Sequence, residues 1–164
     1  MEKFQNKHIF LSALFIVIII FITIIIRNML IERAAGGVIY KIEKGQLYYL
    51  LVTTTNGDRW IFPKGKAEFY EFTKQAAVRE VKEEAGVKVK VVFILEGAPF
   101  FYEKTSGKKQ NIELFAMEYI KDANNWHEKH KRKRKWMAYS EAVSVLTPEF
   151  RKALEEVNNI LIEK

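Results

Sequence analysis

Gly65-Lys-Ala-Glu-Phe-Tyr-Glu71, followed by Arg79-Glu80-Val81-Lys82-Glu83-Glu84-Ala85-Gly86-Val87, is the stretch whose reading decides the fold. In an α-helix Glu80, Glu83 and Glu84 stand at i, i+3 and i+4 and share one face, where they repel one another unless a cation sits among them. A divalent metal is the natural occupant of such a face. A solvated helix face, with Lys82 and Lys88 partnering the glutamates, is the simpler reading of a Glu-rich helix taken alone. The full register argues against it. The chain matches G-x5-E-x7-R-E-U-x-E-E-x-G-U (U aliphatic) at every position. Seven fixed letters in register arise by chance roughly once in a billion start positions at equal residue usage.

Working outward, helical periodicity spans about Thr73–Ala85, with Ala77, Val78, Val81 and Ala85 on the buried side and Gly86 just past the end as a C-cap. Before it, β-branched and aromatic content predicts strands at about Gly37–Ile42 and Leu47–Thr54, with turn chemistry at Lys44-Gly45 and Asn56-Gly57. Phe62-Pro63-Lys64-Gly65 reads as a loop. After the helix, Val87–Leu95, Phe100–Glu103 and Ile112–Ile120 read as strands, and Pro148–Ile162 as a closing amphipathic helix.

The register is identified as the signature of the Nudix hydrolases. The flanks Arg59-Trp60-Ile61-Phe62-Pro63-Lys64-Gly65 and Trp126 … Arg132-Lys133-Arg134-Lys135-Trp136 resemble the branch holding the diphosphoinositol polyphosphate and diadenosine polyphosphate phosphohydrolases. Pro63-Lys64-Gly65-Lys66-Ala67 lacks the glycine-rich run of the inositol enzymes and looks more like the dinucleoside polyphosphate and bacterial members. The resemblance implies an α/β/α sandwich with a mixed β-sheet over residues 34–164. It also implies a hydrolase that opens a diphosphate linkage by attack of water on phosphorus, and so a phosphorylated small-molecule substrate. Under it Glu83 and Glu84 are ligands of Mg²⁺ or Mn²⁺, and Glu80 is a ligand or the base that orients water; the Gly65 carbonyl completes the set. Glu71 and Arg79 form the pair that holds the loop onto the helix, and Arg33, Arg59, Trp60, Lys64 and Lys133 fall on the substrate side. Trp60 serves equally well as a packing anchor.

Some members of that family carry a further acidic residue on a separate strand or loop, for which Glu113 and Glu118 are candidates, although surface salt bridges account for both. His127 and His130 have no third ligand at zinc-like spacing. A fold kept only as a ligand sensor is the alternative to an enzyme, and the intact glutamates argue against it.

From Ile9 to Ile26 the chain is apolar except at Ser12 and Thr23. As a helix this run covers about 27 Å, close to a bilayer core. The expectation is a single-pass anchor within residues 1–33, with Arg27 to Ala35 able to prolong its helix. A cleaved signal, ending near Ala34-Ala35-Gly36, is disfavoured by the length of the run and by Arg27, Glu32 and Arg33 beyond it. Lys3 and Lys7 are balanced by Arg27, Arg33, Lys41 and Lys44, so charge gives only a lean toward a cytoplasmic domain.

The chain of 164 residues has a formal charge of +7 and no cysteine. An anionic ligand suits the charge, while thiol nucleophiles, disulfides and cysteine-based zinc sites are excluded. Nothing in the sequence specifies a nucleic acid or a protein partner. The run Lys129-His-Lys-Arg-Lys-Arg-Lys135 has three readings: a solvated loop, a phosphate-binding surface, or a patch facing anionic lipid.

Overall fold

The computed structural model describes residues 12–23, 32–97, 100–103 and 109–163. Arg33–Lys164 forms one compact unit and Met1–Glu32 another. In the second of these, residues 12–23 are helical. Among the described residues no helix is long and apolar enough to cross a membrane. The expected span therefore is not carried by them, and its ends, residues 9–11 and 24–26, lie outside the described residues.

The larger unit is an α/β fold built on one eight-stranded sheet with the order β3-β2-β1-β7-β5. Its strands are β1 (Glu32–Glu43), β2 (Gln46–Thr53), β3 (Trp60–Ile61), β4 (Lys64–Lys66), β5 (Val87–Ile94), β6 (Phe100–Glu103), β7 (Lys109–Asp122) and β8 (Arg134–Ala138). Strand β4 pairs with β1, β6 with β7, and β8 with β2. Three helices complete it: α1 (Thr73–Ala85), α2 (Tyr139–Val145) and α3 (Pro148–Ile162).

Strand β1 begins several residues before the expected start, so Glu32–Ala35 are extended rather than a continuation of a preceding helix. The reason is tertiary. Ala34, Ala35 and Gly36 pair with Lys66, Gly65 and Lys64, and Gly37 N–H donates to the Pro63 carbonyl at 3.1 Å. A side chain at Gly36 would collide with the Pro63 carbonyl and with Lys64, so only a small residue permits this approach. Lys64–Lys66, expected within a loop, is accordingly a short strand.

Helix α1 has the expected bounds, but its buried residues are Ala76, Ala77, Val81, Glu84 and Ala85. Val78, expected on that side, is exposed. The core behind α1 and the sheet is filled by Tyr49, Phe62, Phe150, Ile39, Leu50 and Leu51. Phe62 meets Phe150 of α3 edge to face at 5.8 Å, and the Tyr49 hydroxyl donates to Asn158 at 2.9 Å. These contacts hold β2 and the β3–β4 connection in place beneath the site.

Candidate active site

Three segments meet at the carboxylate face of α1: strand β4, the helix that follows it, and, far along the chain, residues 126–134 leading into β8. Gly65 places its backbone directly against Glu80, where any Cβ would collide with the carboxylate. That close approach explains why glycine stands at the head of the motif. At the other end of the helix, Gly86 closes α1 in the left-handed region (φ 64°) with its N–H on the Lys82 carbonyl at 3.1 Å. The Trp126 ring occupies the space a Cβ would need, and its indole N–H donates to the Glu84 carbonyl at 2.9 Å.

The glutamates are held by two guanidiniums. Arg79 grips Glu71 in a two-pronged pair, Nε to Oε1 at 3.0 Å and Nη2 to Oε2 at 2.9 Å. It also donates to Glu80 at 2.6 Å, to Glu83 at 3.4 Å and to the Lys66 carbonyl at 3.0 Å. Glu71 thus joins the loop to the helix through Arg79. Arg132 takes Glu84, the deepest of the carboxylates, together with Glu128, and donates to the Thr53 carbonyl at 2.8 Å. Arg79 and Arg132, rather than Lys82 and Lys88, pair with the motif glutamates among the described residues.

Among the described residues no three acidic or histidine side chains are gathered closely enough to enclose a metal ion. The shared face exists, with Glu80 and Glu83 both on Arg79 and Glu84 on Arg132. The donor set nonetheless fits a hard divalent cation: it is all oxygen, one member lies against a backbone that leaves no room for a side chain, and each carboxylate oxygen keeps a second lone pair. Glu83 is the most open of the three, with its side chain 37% exposed.

Burial sets the electrostatics. It pushes the Glu84 carboxyl up to about 7, against the Arg132 charge and the Lys64 N–H, which donates to Oε2 at 2.9 Å. Burial also raises Glu80, opposed by Arg79 and assisted by the charges of Glu83 and Glu128. Glu71 goes the other way, lowered chiefly by its bonds from Arg79.

The expected substrate-side residues are dispersed. Arg33 and Lys133 are exposed. Lys64 is buried, with its ammonium on Gln110 at 3.0 Å. It reaches the motif through its backbone N–H, not as a surface cation. Trp60 packs against the core, and Arg59 lies 3.9 Å from Asp58. Glu113 accepts from the Thr73 hydroxyl at 2.5 Å, at the start of α1, while Glu118 is exposed on β7. His127 and His130 are exposed.

The basic run is not a uniform charged loop. Arg132 is internal; Arg134 donates to the Ala85 carbonyl at 2.6 Å and to Asp122 at 2.8 Å, and stacks on Trp126 at 4.7 Å. Lys129, Lys131 and Lys133 face solvent. Glu128 and Arg132 had no local signal marking them as neighbours of the motif.

A NUDIX domain model matches residues 31–157. Diphosphoinositol polyphosphate phosphohydrolase 3-alpha of Mus musculus is 31% identical over 117 residues, covering 70% of this chain and 69% of that protein. Nudix hydrolase 12, mitochondrial, of Arabidopsis thaliana is 31% identical over 127 residues, with 71% of this chain and 61% of that protein covered. The chain thus spans less than two thirds of the plant relative's length. Among solved structures, the binary complex of a C. elegans Ap4A hydrolase superposes with a TM-score of 0.64 at 25% identity, over 82% of this chain and 100% of that one.

Proposed function

The chain belongs to the NUDIX family, and on that premise we propose that it is a metal-dependent pyrophosphohydrolase opening a diphosphate linkage in an organic polyphosphate of the dinucleoside polyphosphate or inositol pyrophosphate type. The observation that carries this reading is the convergence of Glu80, Glu83, Glu84 and Glu128 on two arginines beside Gly65. Glu83 and Glu84 with the Gly65 carbonyl, and Glu80 where it is a ligand rather than the base, would hold Mg²⁺ or Mn²⁺, which would supply positive charge to the phosphoryl oxygens.

The chain's own groups do the rest. In the role of base, the alternative to that of ligand, Glu80, whose proton affinity is raised by burial, orients the attacking water and takes its proton. Arg79 keeps that carboxylate in place while Glu71 fixes Arg79. Arg132 performs the same service for Glu84. Arg33 and Lys133, exposed cations on separate segments, meet the anionic tail of the substrate, and Lys64 contributes through its field from below. Trp60 packs rather than stacks on a base.

Support for a lipid tether comes from the apolar run. Leu14 to Ile22 keep 46–64% of their surface exposed, a burden in water that a bilayer removes. The catalytic unit is placed on the cytoplasmic side, where phosphorylated metabolites are made. Resistance of the full chain to carbonate extraction tests the tether.

The deciding assay is hydrolysis by the full chain of dinucleoside polyphosphates, inositol pyrophosphates, nucleoside triphosphates and nucleotide sugars, with and without Mg²⁺. Turnover of one class that vanishes in chelator is expected; no turnover of any class with saturating metal would leave a ligand sensor in its place.

A further inference from the structure

The loop between Gly65 and α1 presents three aromatic side chains outward: Phe69 at 98% exposure, Tyr70 at 87% and Phe72 at 78%. A protein in water does not gain by displaying such a cluster, and a rimmed apolar patch marks an interaction surface. The display is built, not incidental. Glu71 N–H donates to the Glu68 carbonyl at 3.1 Å, Glu68 N–H returns to Glu71 Oε2 at 3.3 Å, and Arg79 clamps the same carboxylate. Glu71 is thereby drawn inward and its aromatic neighbours are left outside.

The same loop is tied to the first residue of the domain. Ala67 N–H donates to the Arg33 carbonyl at 3.0 Å, next to the Ala34–Lys66 pairing. Only the seven residues Arg27–Arg33 separate that point from the end of the apolar run, a reach of at most about 25 Å when fully extended. Lys66 and Lys74, both exposed, flank the aromatics in sequence, exposed Arg33 adjoins them through the Ala67 bond, and one exposed carboxylate, Glu68, lies in the same stretch. Aromatic tips flanked by basic side chains match the boundary layer of an anionic bilayer.

We infer that Phe69, Tyr70 and Phe72 insert into the lipid headgroup layer, as a second membrane contact that holds the motif helix at the bilayer surface. This rests on the tether reading and adds to it a defined loop, a depth and an orientation.

The absence of cysteine makes the test direct. Full-length Phe69→Cys, labelled with a nitrobenzoxadiazole dye, is reconstituted into phosphatidylcholine–phosphatidylserine vesicles with or without nitroxide-bearing acyl chains, beside Glu155→Cys on the exposed side of α3 as a control. Several-fold stronger quenching at position 69 than at 155 is expected. Equal quenching at both positions overturns the inference, as does none at 69. A label unquenched by lipid but responsive to added ATP would assign the aromatics to base stacking. One that responds to protein dilution within the vesicle would assign them to a second copy of the chain. Carbonate extraction of the same samples reads the tether separately, so an extractable protein sinks both readings while a retained protein with an unquenched loop sinks only this one.

Discussion

The guanidinium of Arg132 rests on the carboxylate of Glu84, 48 residues away in sequence, and both side chains are nearly closed to solvent, at 9% and 7% exposure. This pair ties the basic run to the motif helix and changes what that run is for. Two of its six cations, Arg132 and Arg134, are internal partners of the site's acids and helix carbonyls, and the alternate lysines Lys129, Lys131 and Lys133 are left facing solvent.

Replacing one member of a buried pair strands the other. Arg132→Ala should therefore lower unfolding free energy by about 3–5 kcal/mol, because Glu84 loses its cation and the Thr53 carbonyl its donor. Lys133→Ala, at an exposed position, should stay within about 0.5 kcal/mol of the parent while raising KM for a highly phosphorylated substrate. Urea unfolding of the two variants separates these roles; equal stability would show that Arg132 is as dispensable as its neighbour.

Glu83 offers the cleanest test of the chemistry, since its carboxylate is the most open of the motif set and is lightly bonded, with Arg79 at 3.4 Å. Glu83→Gln keeps the shape and removes the charge. Turnover should fall on the order of 100-fold or more, with an unchanged circular dichroism spectrum and equal or higher thermal stability in chelator, where repulsion on the helix face is relieved. Near-normal turnover at limiting Mg²⁺ would remove Glu83 from the metal site.

Metal-free stability should depend on pH through Glu84. Its folded proton affinity is raised from an ordinary value of 4.5 to about 7 by burial, so its stabilising contribution is complete below 4.5 and is lost as pH climbs through 7. Glu71, lowered by Arg79, acts in the opposite sense and loses its contribution as pH falls below the ordinary carboxylate range. Relative to the parent, Glu84→Gln should gain roughly 2–3 kcal/mol between those two pH values in the presence of chelator. A difference between the two proteins that stays constant across that window would contradict the assignment.

Legibility in the sequence followed locality. Helices α1 and α3 carry their own period and their own punctuation, Gly86 past one end and Pro148 at the start of the other; their bounds could be read directly. Strand β8 could not. Arg134–Ala138 looks like the tail of a charge run and becomes a strand only by pairing with Tyr48–Val52. Strands β3 and β4, of two and three residues, are too short to show any period, and the small residues at the start of β1 imitate a helix. The site divides the same way. Spacing alone put three glutamates on one face, whereas Arg132, Glu128 and Trp126 reach that face through tertiary pairing, which leaves no local trace.

The two motif glycines should fail differently when given a side chain. At Gly65 the three atoms nearest an added methyl all belong to the Glu80 carboxylate, the far end of a side chain that can move aside. Gly65→Ala should accordingly change stability by less than about 1 kcal/mol yet displace Glu80 from the backbone it lies against, weakening metal dependence and turnover together. At Gly86 the methyl meets the Trp126 ring, and the backbone is already left-handed. Gly86→Ala should cost about 2–4 kcal/mol, from an αL conformation unfavourable to alanine and a displaced indole that also loses its bond to the Glu84 carbonyl. Thermal unfolding and Mg²⁺ titration of turnover, measured on both variants, distinguish a lesion of the site from a lesion of the fold. A stability loss at Gly65 as large as that at Gly86 would mean that Glu80 is fixed too firmly to yield, and that its position is set by the fold rather than by the cation it is proposed to bind.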